Sequence, residues 1–189
     1  AALGARHMAA FPNSVVGLNW AGYEIFRASR PREGRLLLER AVELANSPLA
    51  EAERRAWVMN NFARVLVSQG EYTEAARYLA QLITFEEAVH PDGSERLGSC
   101  LHSLASVLLA QGDIDAARAN LERSLAIWQS VYGTENHSDV AASLHELARV
   151  LRAQGDLTGA HARLERSLEI QRKVHGTEDH PNVAASLHE

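Results

Sequence analysis

LHSLASVLLAQGDIDAARANLERSLAIWQSVYGTENHSDVAASLHE (residues 101–146) overlaps LHELARVLRAQGDLTGAHARLERSLEIQRKVHGTEDHPNVAASLHE (residues 144–189). The two stretches align without a gap at an offset of 43 residues. A period of this size implies small units stacked on one another, because each unit alone cannot bury its apolar face. Gly70, Gly112 and Gly155 extend the period towards the N-terminus, lying 42 and 43 residues apart. Each follows an amphipathic run and precedes an acid: Glu71, Asp113 and Asp156. Glycine ends a helix by adopting a left-handed backbone cheaply, and an acid suits the unpaired N–H groups opening the next helix. Each unit therefore reads as helix, tight turn, helix.

The apolar spacing agrees. Leu101, Leu104, Ala105 and Leu108 lie on one helical face, and Leu144, Leu147, Ala148 and Leu151 repeat it. Met59, Phe62, Ala63 and Leu66 give the same face earlier, and Leu18, Ala21, Gly22 and Ile25 give a degenerate version. In the second helices, Ala75, Leu79 and Ile83 correspond to Ala117, Leu121 and Leu125, and to Ala160, Leu164 and Leu168. The small residue allows close helix approach and the large ones fill the space around it. In the degenerate unit Gly34, Leu38 and Val42 belong to the second helix, Ser29 stands at the glycine position, and Pro31 suits a helix start. The expected organisation is an N-terminal segment or the end of a preceding repeat at 1–14, a degenerate repeat 15–55, repeats 56–97, 98–140 and 141–183, and the start of a further repeat at 184–189. The last copy of VAASLHE stops at Glu189, which suggests a piece of a longer protein.

Composition narrows the function. With 46% hydrophobic and 23% charged residues, the chain of 189 has a folding composition. A net charge of −5 and no basic stripe argue against nucleic acid. No apolar run is long enough for a membrane span, and no membrane partner is expected. The lone Cys100 excludes a disulfide framework and points to a reducing, cytoplasmic setting. Lys173 is the only lysine, which together with abundant alanine suggests a bacterial source.

The pattern resembles the tetratricopeptide repeat: a small residue at position 8, glycine near 15, alanine at 20 and large apolar residues at 4, 7, 11 and 24. The longer period, with linkers such as 132–137 and 175–181, resembles the kinesin-light-chain type. The resemblance implies an all-α right-handed superhelix, a solenoid of about four helix-turn-helix repeats. It also implies that first-helix positions 2, 5, 9 and 12 line an inner groove. In this chain they read Val16, Asn19, Tyr23 and Phe26; Trp57, Asn60, Arg64 and Val67; Ser99, His102, Ser106 and Leu109; Ala142, His145, Arg149 and Arg152.

That stripe is graded, with aromatic and apolar groups first and cationic groups last. It suits an extended or helical peptide with an apolar anchor near Trp57 and acidic residues near Arg149. Asn60 is suited to a peptide backbone because its amide both donates and accepts. The carboxylate clamp of chaperone-binding members is missing in both registers. The residues standing there are Asn19, Tyr23, Asn61, Ser99 and Ser103, or Asn60, Arg64, Ser103, Ala142 and Glu146.

No catalytic constellation, cofactor motif or metal site is expected. His102, His145 and His188 recur one per unit, about two helix packings of ~8–10 Å apart, so they cannot share an ion. His175, Glu178, Asp179 and His180 form a tempting cluster, but the sister linker carries Tyr132, Glu135, Asn136 and His137. Cys100 falls inside a predicted helix with no base or oxyanion donor beside it. The reading is a non-catalytic protein-binding scaffold. The alternatives are a sensor arm of a larger signalling NTPase or caspase-like protease, and self-association through the truncated end.

Overall fold

A computed structural model describes residues 14–28, 30–45 and 52–175, less the side chains of residues 52, 53 and 175. Residues 1–13 of the expected segment 1–14, the expected repeat start 184–189, the Ser29 turn and the 178–180 cluster lie outside the described residues. Eight helices are described: α1 Val15–Arg27, α2 Pro31–Ala45, α3 Ala52–Ser68, α4 Tyr72–Val89, α5 Glu95–Gln111, α6 Ile114–Tyr132, α7 Ser138–Ala153 and α8 Leu157–His175. No strand occurs among the described residues. The chain divides into two compact units, residues 1–82 and 83–189.

The glycine turns are built alike. Gly70, Gly112 and Gly155 have φ of 77°, 84° and 85°, in the left-handed region. After each, the acid's backbone N–H reaches five residues back: Glu71 to the Leu66 carbonyl, Asp113 to Leu108 and Asp156 to Leu151, each at 2.9 Å. This is a Schellman closure of the preceding helix. The aspartates then cap the following helix. Asp113 Oδ1 accepts from Ala116 N at 3.2 Å, and Asp156 Oδ1 accepts from Gly159 N at 2.8 Å.

In the first unit α1 and α2 touch backbone to backbone. A Cβ on Gly34 would lie 2.5 Å from the Gly22 carbonyl oxygen, so only glycine fits there. Leu18, Ala21, Leu38, Met59, Phe62, Leu66, Ala75 and Leu79 are buried as the spacing requires. In the second unit Ala105, Ala117, Leu121, Leu147, Ala148, Val150, Leu151 and Ala160 form one core cluster. Ser124 and Ser167 occupy one register position and donate to the Gly98 and Ala141 carbonyls at 2.8 and 2.7 Å, holding both helix pairs at the same approach.

One joint is built once in each unit. Arg35 Nη1 donates to Gln69 Oε1 at 2.8 Å, and Arg118 Nη1 to Gln154 Oε1 at 3.3 Å. Arg35 also binds Glu71 and Glu39, whose hydrogen bonds push its pKa up.

Candidate functional site

The residues of the expected stripe sit on α1, α3, α5 and α7. In the first unit, Asn61 Nδ2 donates to Asn19 Oδ1 at 3.4 Å, and the Arg64 guanidinium lies 5.2 Å above the Tyr23 ring centre. Both contacts set α1 beside α3. Arg64 is exposed and Tyr23 is half-buried.

Asn19 departs from the expectation. It is fully buried, and its Nδ2 has no hydrogen-bond partner. It therefore belongs to the α1–α3 packing and not to an accessible surface. The repeat pattern puts position 5 on the groove in every unit, but in this one the neighbouring Asn61 reaches back over it.

The α3 stripe is different. Trp57, Asn60 and Arg64 follow a 0, 3, 7 spacing on one face, and Trp57 is 36% exposed. None of the three makes a hydrogen bond or ion pair among the described residues. Arg64 keeps its contact with the Tyr23 ring, but among the described residues its N–H donors make no hydrogen bond. On α1, Trp20 is also exposed, at 44%, although the groove positions omit it. Its sister positions hold Asn61, Ser103 and Glu146, of which Asn61 is buried and the other two half-buried, so the register gives no signal of its exposure.

In the second unit the side chains are more occupied. His102 Nδ1 lies 3.2 Å from Ser143 Oγ, joining α5 to α7. Burial lowers its pKa, against the opposing pull of Glu146 and Asp139. The Ser106 hydroxyl donates to the His102 carbonyl at 3.2 Å. Arg149 Nη1 contacts both oxygens of Glu146, at 3.0 and 2.9 Å. The arginine expected to take acidic residues is thus already neutralised by the residue one turn before it. His145 and Arg152 are also engaged.

Cys100 is wholly buried, and loss of hydration pushes its thiol up to about 12. It stays protonated at neutral pH and is no nucleophile there. Tyr132 is stacked between Trp128 at 5.4 Å and His137 at 3.6 Å, and donates to Asp139 Oδ2 at 2.9 Å. Those partners give it a role in the α6–α7 linker. Among the described residues, no three His, Cys, Asp or Glu side chains gather as a metal ion would require. No described helix is long and apolar enough to cross a membrane.

Tetratricopeptide-repeat family models match residues 55–92, 98–173 and 139–189. The chain belongs to the tetratricopeptide-repeat family, with the all-α helical-repeat fold of protein-interaction scaffolds. Within it, the chain is of the kinesin-light-chain-like type.

Solved structures bear similar folds. BtubC (BKLC) from P. vanneervenii is 22% identical, with a TM-score of 0.78 over 88% of this chain and 66% of its own. A Podosopora anserina protein of kinesin-light-chain type, with nearly identical TPR-like repeats, is 27% identical. Its TM-score is 0.75 over 94% of this chain and 83% of its own. The apo form of RapI is 14% identical, with a TM-score of 0.76 over 86% of this chain and 57% of its own. No curated protein matches the sequence.

Proposed function

We propose that this chain is a non-catalytic scaffold that holds a segment of a partner polypeptide on the exposed stripes of its first helices. One observation carries the reading. On α3, Trp57, Asn60 and Arg64 present an apolar ring, an amide and a cation in one row, none committed to a hydrogen bond or ion pair among the described residues. Arg35 and Arg149, by contrast, are each held by side-chain partners. A folded chain that leaves such groups unspent has them available for another molecule. A few such anchors supply most of the affinity in an interface, and Trp and Arg are enriched among them.

The test is capture of partners by the intact protein. Asn60→Ala and Trp57→Ala should each remove a specific captured protein, while Arg118→Ala on α6 should retain it. Equal capture by all the variants refutes the reading.

A further inference from the structure

The two compact units carry opposite net charge. Residues 1–82 hold ten arginines against eight acids, whereas residues 83–189 hold nine cations against sixteen acids. The contrast is sharp where second helices begin. A helix N-terminus favours acids, and α6 and α8 follow that rule with Asp113, Asp115 and Asp156. α2 departs from it, since Arg30 and Arg32 stand at the register positions of Asp113 and Asp115. Arg30 pairs with Glu33 at 2.5 Å, but Arg32 is exposed and makes no ion pair among the described residues. The three aspartates are exposed and also lack a cation. Asp113 and Asp156 cap their helices, Asp115 accepts from Gln154 Nε2 at 2.9 Å, and the nearby Arg118 is held by Glu122 and Gln154.

Each patch also holds an exposed leucine. Leu36, one turn after Arg32 on α2, is 64% exposed, and Leu157, next to Asp156, is 67% exposed. No other large apolar side chain among the described residues exceeds 44%. Leu157 stands at a position used for helix contact, because its sister Ile114 rests on the core cluster of the second unit.

We propose that copies of this chain associate head to tail, with the start of α2 in one copy against the starts of α6 and α8 in the next. Arg32 meets the carboxylates of Asp115 and Asp156, and Leu36 meets Leu157. The two patches are different surfaces, so the contact is heterologous and growth can pass the dimer. Salt screens exposed charges, with a Debye length of ~30 Å at 0.01 M and ~3 Å at 1 M, so association belongs to low ionic strength. None of these residues belongs to the α3 stripe.

The experiment is light scattering on the whole chain over a concentration series, at about 20 mM and about 500 mM sodium chloride. At low salt the mass should exceed one chain and rise with concentration, and at high salt it should return to one chain. Arg32→Glu and Asp115→Arg should each weaken association at least about tenfold, because like charges then face each other. An equal mixture of the two variants should restore it, since each reversed charge meets its opposite on the other variant. Arg32→Gln and Asp115→Asn, which disturb folding less, should weaken it by a smaller factor. Leu36→Ser should weaken it too, and Trp57→Ala should leave it unchanged.

A chain that stays single at low salt and high concentration overturns the proposal. So does association that survives either reversal in a folded variant, or that the mixture of reversals fails to restore. If Leu157→Ser lowers the urea midpoint and leaves association unchanged, that leucine is covered within its own chain and the proposed contact is wrong.

Discussion

Importing one repeat's packing pair into its sister measures how far the second unit's core depends on matched side chains. Gly98 and Ala141 share a register position, as do Trp128 and Gln171. The helix approach is the same in both pairs, because Ser124 and Ser167 make the same hydrogen bond. A Cβ on Gly98 would fall 2.9 to 3.1 Å from the Cε2, Cδ2 and Cε3 atoms of Trp128. The indole cannot retreat freely, since Tyr132 stacks on it and His137 backs Tyr132. Overpacking of this kind costs about 1–3 kcal/mol, against a gain of about 1 kcal/mol for alanine in a helix interior. Gly98→Ala should therefore destabilise by about 1 kcal/mol. Trp128→Gln removes a ring that is 4% exposed, at a cost of about 3 kcal/mol. In the double variant the ring that caused the clash is gone, so alanine keeps only its propensity gain. The double variant should be more stable than the sum of the singles by about 1–3 kcal/mol. Urea unfolding followed by far-UV circular dichroism supplies all four corners of the cycle. Additivity within about 0.5 kcal/mol would refute the reasoning.

Three further outcomes follow from the same contacts. Asn19→Leu leaves the Asn61 amide unpaired and should cost about 1–3 kcal/mol, whereas Asn19→Leu with Asn61→Leu should be close to neutral; urea midpoints decide. Gly112→Ala meets no atom within 4 Å, so its cost is backbone strain alone, about 1–2 kcal/mol, and its midpoint should fall without any coupling to Trp128→Gln. His102 has a folded pKa below the 6.5 of the free side chain, so the unfolded chain binds the proton first as pH falls. Its contribution is present in full above that value and is lost as pH drops beneath it, levelling once the folded group also protonates. His102→Gln should therefore flatten the fall in urea midpoint between about pH 8 and about pH 5; an unchanged slope would count against this assignment.

The joints were legible because their chemistry is nearly unique. A left-handed turn followed by a helix start asks for glycine and then an acid, and Gly70, Gly112 and Gly155 meet that demand with the same closure each time. The core faces were legible for a similar reason: a 3–4 spacing of apolar residues has one outcome once helices pack. The site was less legible, because exposure at one register position depends on which neighbour reaches across. Asn19, Asn60, His102 and His145 are equivalent in register, yet Asn19 is fully buried beside Asn61 while Asn60 is half-buried. Local spacing does hold part of that answer. Glu146 three residues before Arg149 predicts the pair that closes it. Arg64 has Asn60 and Asn61 four and three residues before it, so no carboxylate on that side competes for it.

The same comparison explains why near-identical repeats can differ in use. The buried contacts of a repeat must hold its two helices at the same approach, so they recur; Ser124 and Ser167 do. The outer stripe has no such obligation and drifts from Trp57, Asn60 and Arg64 in one repeat to Ala142, His145 and Arg149 in another. Fold is therefore read from what the repeats share, and recognition from where they differ. The difference that matters most is whether a charge finds its counter-ion inside its own helix. For Arg149 it does, and for Arg64 it does not. Placing a glutamate at position 61 by Asn61→Glu, three residues before Arg64, should convert the second case into the first and weaken partner capture without touching Arg64 itself. Because Asn61 is buried against Asn19, the fair comparison is Asn61→Gln, which costs similar packing but adds no charge. Partner capture that falls in Asn61→Glu and persists in Asn61→Gln identifies neutralisation of Arg64 as the cause; equal loss in both would assign the effect to packing and refute this account.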